Sequence, residues 1–348
     1  MPKSALLSIY AARCRGGDGA GLEEILPRAR TTYFAFGRQA LAEGLSRAGV
    51  RGGDRVLLPA LICGEVMASL AALGAEARFY AIDETLQVDE RSLADADHSQ
   101  IKAVVAVNYF GFPQPLEGLR RLSREHGALL IEDNAHGFLS NEGCVPLGRR
   151  GDLGVFSLRK TLSLPNGAAL VDNRKVASTG PALSFRSSPV RQEYRYRVKQ
   201  GVKRLIELGG LGAGRSLFAL LRARRQFASR PTRPADFLPE EGISSLAETL
   251  LRRCHLESER KRRRELFEYF NAELKRIPGV RPIFEKLPEH VVPLGCPFFS
   301  SRRGSPLFDE LWKRFGVPVL EWPDILPAAV GSEIPPHYRQ ISFVPFLW

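Results

Sequence analysis

The chain has 348 residues, 44% hydrophobic and 25% charged, and its 50 Lys and Arg against 38 Asp and Glu leave a net charge of +12. Such a length buries a large core with room for one big domain and a smaller one, and the ordinary charged and apolar fractions are those of a soluble α/β protein. Five scattered cysteines, an odd number, argue against a disulfide framework and for a reducing cytoplasm.

Residues 1–30 carry one lysine and an apolar stretch over 5–12 that is too short and too weak for a signal peptide. Phe36-Gly37-Arg38-Gln39-Ala40-Leu41 opens an amphipathic helix, and a glycine at a helix start lets backbone N–H groups approach a phosphate. A turn and a strand follow over 52–59. The stretch 57–74 comes closest to membrane-spanning length, but Glu65 interrupts it, and it reads as strand, loop and buried helix. Turn, strand and turn occupy 74–83, a strand runs over 103–108 into Tyr109-Phe110-Gly111-Phe112-Pro113-Gln114, and 116–126 is helical. Two short aliphatic runs, 128–132 and 154–158, read as buried strands, and 168–173 as the strand after them.

The chemistry gathers around these two runs. The first leads into Ile131-Glu132-Asp133-Asn134-Ala135-His136, which sets Asp133 at a strand's carboxyl end, where open α/β sheets place their ligands. The second delivers Ser157 and Lys160 just beyond its own end. Taken singly, such an Asp caps a helix or a turn and such a Lys is a solvated loop charge. Together they make the core of a pyridoxal phosphate (PLP) site: the carboxylate keeps a pyridinium nitrogen protonated, and the amine forms the Schiff base that holds the cofactor.

This succession, from Tyr33 to Asn173, resembles the DegT-type family of PLP-dependent sugar aminotransferases, within the fold type I superfamily. The resemblance implies a role for each matching position. Gly37 and Arg38 fall on the phosphate-binding turn, where the family more often has Ser-Gly-Thr and here a guanidinium, or backbone alone, takes the place of a hydroxyl. Cys63 falls where an aromatic ring commonly stacks on the cofactor, and Asn108 where the family usually has His. Asp133 matches the partner of the pyridine nitrogen, His136 the residue near the ring hydroxyl, and Ser157 a phosphate ligand. Lys160 matches the Schiff-base lysine, although Ser157 and Lys160 stand closer together than in the Ser-Phe-x-x-x-Lys of many members. Asp133 and Lys160 are thus the expected catalytic pair.

Other features point elsewhere. Gly209-Gly210-Leu211-Gly212-Ala213-Gly214 echoes a dinucleotide loop but lacks a preceding strand and an acidic ribose partner, and reads as a turn. Six His and five Cys show no ligand-like spacing, so no metal is expected. Tyr194-Arg195-Tyr196-Arg197 reads as a solvated face or phosphate contact, with no nucleic acid expected. From 191 to 233 the chain holds twelve Lys or Arg against two Glu at roughly helical spacing. This block is a pair of solvated helices, or it attracts an anionic nucleotide sugar or an acidic membrane surface. After Pro239, helices are expected over 243–274, short strands broken by Pro282, Pro288, Pro293 and Pro297 over 279–298, a helix over 306–315 and a strand over 317–320. The apolar tail 341–348 is expected to pack against the large domain or a partner subunit.

The expected architecture is α/β: a fold type I PLP-dependent transferase with a mostly parallel seven-stranded sheet flanked by helices, 168–173 as its odd antiparallel strand, and a smaller C-terminal α/β domain. The boundaries read 1–185 for the large domain, including the N-terminal segment 1–30, then 186–240 for a basic helical insertion or linker, and 241–348 for the small domain. By resemblance the protein is a cytoplasmic homodimeric aminotransferase, taking an amino group from an amino acid such as glutamate to a keto sugar on a nucleotide. Its place would be polysaccharide or secondary-metabolite biosynthesis. A PLP enzyme of another reaction type, or a non-catalytic subunit on the same fold, is the alternative.

Overall fold

The computed structural model of the protein describes residues 19, 21–174, 192–198, 200–201, 242–302, 305–322 and 335–346. Lys175, the glycines from Gly209 to Gly214 and the basic block, apart from 192–198 and 200–201, lie outside the described residues.

A strand inside a parallel sheet is covered on both faces, so its sequence is apolar without alternation. Strands β2 (Arg55–Pro59), β4 (Ile101–Val107) and β5 (Leu129–Asp133) of the large sheet are such segments, whereas β1 (Thr31–Phe34) and β3 (Glu76–Tyr80) are its less buried edge strands. After a small hairpin, β6 (Asn141–Glu142) and β7 (Val145–Pro146), come β8 (Leu153–Phe156) and β9 (Ala168–Asp172). Leu57, Leu58, Val104, Val105, Ile131 and Leu153 are fully buried, and truncating one such side chain to Ala costs about 2–5 kcal/mol.

The strand order is β1-β9-β8-β5-β4-β2-β3, seven strands as expected. β2, β3, β4, β5 and β8 pair in parallel, while β9 runs antiparallel to both β8 and β1. Strand β1 was not foreseen as a strand. It is short, half-buried on three of its four residues, and its pattern is too brief to separate from a loop. The strand ends also differ slightly from expectation: Asp133 is the last residue of β5, and β8 stops at Phe156.

Helices α1 (Gly37–Arg47), α2 (Gly64–Leu73), α3 (Glu90–Asp95) and α4 (Glu117–Glu125) fill the connections. Helix α1 lies close on the sheet because Gly44 has no side chain: a Cβ there would stand 3.2 Å from the Leu170 methyl. Strand β8 depends on Gly154 in the same way, since a Cβ there would meet the Gly148 carbonyl. The turn after β8 is α5 (Leu158–Thr161).

The C-terminal part contains α6 (Ser245–Arg252), α7 (Leu256–Leu274), β10 (Val280–Pro282), β11 (Gly295–Ser300), α8 (Ser305–Phe315), β12 (Leu320–Glu321) and β13 (Ile341–Pro345). The strands form an antiparallel sheet in the order β10-β11-β13-β12, with α7 packed on β10 and β11. Three details correct the sequence reading. Ala247 and Leu251 of α6 share a buried cluster with Phe156, Ala169 and Val171, so α6 covers the large sheet although it follows residue 241. Pro282 and Pro297 lie within strands. The Pro297 carbonyl accepts from the Ile283 N–H at 3.1 Å, so its missing N–H also faces the β10 side, where pairing has already ended at Phe298. Finally, the strand expected over 317–320 is two residues, Leu320–Glu321. The apolar tail, expected against the large domain or a partner subunit, instead forms β13 within the small sheet, with Phe346 buried and residues 347–348 outside the described residues. Among the described residues no helix is long and apolar enough to cross a membrane.

Candidate active site

The strand order turns back on itself between β2 and β4, and β5 and β8 follow beside β4 with their carboxyl ends on the same edge of the sheet, the usual ligand side of an open α/β sheet. The Asp133 carbonyl at the end of β5 accepts the Asn108 N–H at 3.1 Å, which fixes the end of β4 beside it. The Asp133 carboxylate accepts the Ala135 N–H at 3.0 Å. On the neighbouring side, the Lys160 N–H donates to the Ser157 carbonyl at 3.1 Å, closing the turn α5. Lys160 therefore sits in a helical turn and not in a loop. Three residues are close to one turn, so the short Ser157–Lys160 spacing still sets both side chains on one face.

Lys160 Nζ lies 3.2 Å from His136 Nε2, and the other ring nitrogen, Nδ1, accepts the Phe110 N–H at 3.3 Å. Burial raises the Asp133 pKa, and the Lys160 charge and the Ala135 N–H offset part of that rise. Burial first, then the Lys160 charge, lowers the His136 pKa well below its usual value. Burial also raises the Cys63 thiol, with Lys160 opposing and Asp133 reinforcing, so Cys63 at the start of α2 belongs to the same group. Asp133, His136 and Cys63 keep partial solvent access while surrounding protein desolvates them, as side chains lining a cleft are.

Gly37, Arg38 and Ser157 meet nearby. A Cβ on Gly37 would stand 3.7 Å from the Ser157 Cβ. The first turn of α1 follows Phe36, whose side chain offers no capping oxygen; Gln39 Oε1 takes the Phe36 N–H at 2.8 Å and the Gln39 and Ala40 N–H groups bond the Phe36 carbonyl, which leaves the N–H groups of Gly37 and Arg38 for an anion. Arg38 pairs with Glu65 at 2.8 Å, and its Nε is buried with no acceptor.

Asn108 departs from its expected place. Its amide nitrogen donates to Glu132 Oε1 (2.8 Å) and Asn134 Oδ1 (3.1 Å), and its oxygen accepts from the Gln114 N–H (3.1 Å) and Arg150 (2.9 Å). The side chain is consumed in a buried network around the Glu132–Arg150 ion pair. Asn108 thus supports the loop beside Asp133 and does not turn toward Lys160.

Three groups were not anticipated. Trp322, just past β12, packs with ring centroids 5.8 Å from His136 and 5.7 Å from Phe110, and its Nε1 is buried without an acceptor. No local pattern marks it, because it reaches the site from the small sheet. Phe110 adopts a left-handed φ of 53°, for which the adjacent Gly111 was the available signal. Arg159 points its guanidinium toward the Phe36 ring, and in sequence it is one more charge in a turn.

PLP fits these residues: an amine and an imidazole in contact, a carboxylate raised by burial that lacks a full countercharge, and a glycine–serine approach at an open helix start. The comparisons agree with the geometry. A relative from Vibrio cholerae, GDP-perosamine synthase, is 30% identical over 156 residues, 44% of this chain and 42% of its own length. The L-glutamine:scyllo-inosose aminotransferase of Streptomyces griseus is 32% identical over 166 residues, 46% of this chain and 39% of its own. The chain thus spans about two fifths of the length of the curated relatives it matches. The solved aminotransferase TlmJ from Streptoalloteichus hindustanus shares the fold with a TM-score of 0.63 at 20% identity, over 98% of this chain and 89% of that one. Residues 29–210, a little over half of the sequence and including every residue assembled around Lys160 except Trp322, match one family model, and the chain belongs to the DegT/DnrJ/EryC1/StrS aminotransferase family.

Proposed function

We propose that this protein is a PLP-dependent aminotransferase that moves an amino group from an amino acid, glutamate in the simplest case, to a keto sugar carried on a nucleotide, working as a homodimer. The observation that carries this reading is the convergence of Lys160, His136 and Asp133 at the carboxyl ends of β5 and β8, with Lys160 Nζ 3.2 Å from His136 Nε2. Similarity to GDP-perosamine synthase supports the nucleotide sugar. The net charge of +12 supports a phosphate-bearing substrate.

Bound PLP would supply an electron sink that makes a carbon–hydrogen bond beside the amine acidic. Lys160 would hold the group through its ε-amine, and the same amine is the base placed to take and return the proton. His136 orients that amine, because the Phe110 N–H occupies Nδ1 and leaves Nε2 toward Lys160. Asp133 keeps a proton on the ring nitrogen by providing a carboxylate in a site where water screens poorly. Gly37, Arg38 and Ser157 bind the phosphate.

The test is a visible spectrum of protein purified with PLP, followed by borohydride reduction and by addition of candidate amino donors. A yellow protein whose absorbance is bleached by borohydride and altered by glutamate is the expected result. A protein that takes up no PLP covalently would overturn the reading.

A further inference from the structure

The start of α1 carries more positive charge than its neighbours neutralise. Arg38 and Arg159 both lie over the Phe36 ring, their guanidinium carbons 4.6 and 5.3 Å from its centroid. Glu65 binds Arg38 at 2.8 Å, so one carboxylate faces two guanidiniums. Arg159 is held by its backbone N–H on the Gly167 carbonyl (3.3 Å) and by the Phe36 ring, and its side chain is exposed, so that among the described residues its guanidinium meets no acceptor and faces solvent. A buried Arg38 Nε adds a second donor without an acceptor.

Two guanidiniums gathered on one ring with one carboxylate between them are stabilised by an added anion, and guanidiniums match phosphate oxygens in shape as well as charge. The surroundings select that anion. Gly37 and Ser157 stand 3.7 Å apart when measured to a Cβ on Gly37, and Gln39 Oε1 caps the Phe36 N–H at 2.8 Å while Phe36 offers no acceptor to the N–H groups that follow it. A phosphate there would receive a hydroxyl, helix-start N–H groups and two guanidiniums. We propose that Arg159, paired with Arg38, forms a two-guanidinium seat for the cofactor's phosphate, and this rests on the PLP reading above.

The experiment compares PLP with pyridoxal, the same aldehyde without phosphate, by equilibrium dialysis against wild type, Arg159→Gln and Arg159→Lys. In Arg159→Gln the preference for PLP over pyridoxal should fall by about tenfold or more, the scale of a lost charge-assisted contact. Pyridoxal affinity should stay within about twofold, and Arg159→Lys should recover part of the loss. An unchanged preference, or equal weakening of both ligands, overturns the proposal. So does an unchanged preference with weakened GDP binding, which would assign Arg159 to a substrate diphosphate. If wild type binds neither aldehyde, the proposed function fails, and inorganic phosphate then decides this inference separately. Phosphate raising the melting temperature of wild type but not of Arg159→Gln supports the seat, and an equal response overturns it.

Discussion

Arg263 donates from Nη2 to the Thr161 carbonyl at 2.6 Å, so a fully buried guanidinium on α7 grips the residue next to Lys160. The same side chain bonds Glu259 at 2.6 Å and the Pro293 and Leu294 carbonyls at 3.1 and 3.0 Å. Arg263→Met should leave these carbonyls unpaired and Glu259 with Arg262 as its remaining arginine, and the loss from breaking a buried ion pair is about 3–5 kcal/mol. Urea unfolding checks this, and a loss below about 1 kcal/mol would show that the clamp does not hold α5.

Lys160 is partly exposed and outside the buried clusters, so Lys160→Ala should melt within a few degrees of wild type. After borohydride reduction of the PLP-loaded proteins, peptide mass spectrometry should find pyridoxyl on Lys160 in wild type and on no peptide of the variant. A label on a different lysine in wild type would reassign the anchor.

Asp133→Asn should lower transamination by at least about a hundredfold, because an amide cannot hold a positive ring nitrogen as a carboxylate does. Stability should move the other way in cofactor-free protein. Burial raises the folded-state pKa of Asp133, so ionisation costs the folded state more than the unfolded one. That cost is absent below the ordinary carboxylate pKa of about 3.9 and fully present above the folded value. The variant should therefore gain stability over wild type as pH rises from about 4 toward 7. A melting comparison with no such trend would contradict the burial of the carboxylate.

His136 has the opposite sign. Its folded pKa is depressed, so below about pH 6.5 the unfolded chain binds a proton that the folded chain refuses. Its contribution is intact above that pH and is lost as pH falls toward the folded value, at up to about 1.4 kcal/mol per pH unit. The stability difference between wild type and His136→Gln, followed by urea unfolding of cofactor-free protein, should shift against wild type across that window. A difference constant from pH 5 to 8 would show that His136 does not titrate this way.

Much of the site was readable because it is local. Asp133, His136, Ser157 and Lys160 each follow a short apolar strand, and strand ends in a parallel sheet are brought together by pairing alone. The Lys160 spacing was puzzling in sequence only because a loop was assumed, whereas the Ser157–Lys160 hydrogen bond makes it a helical turn. Asn108 misled for a different reason. Its backbone position beside Asp133 is as expected, but the partners that turn its side chain away, Glu132 and Arg150, lie in other segments. Trp322 and Arg263 act across the junction with the small sheet, where no periodicity in either segment records the contact. Prolines 282 and 297 read as strand breakers, yet an edge and an already finished pairing tolerate them.

The hydrogen bonds from the Leu294 N–H to the Phe110 carbonyl (2.9 Å) and from the Phe346 N–H to the Leu294 carbonyl (3.3 Å) order the molecule in time as well as in space. During synthesis, β4, β5 and β8 leave the ribosome first and can pair with Asp133 and Lys160 already in place. The left-handed backbone of Phe110, which orients His136, gains its anchor only when Leu294 emerges, and that anchor is itself secured by Phe346. A nascent chain can therefore own the residues that capture the cofactor before it owns the restraint that aims them, and tight capture should begin only once Phe346 has emerged.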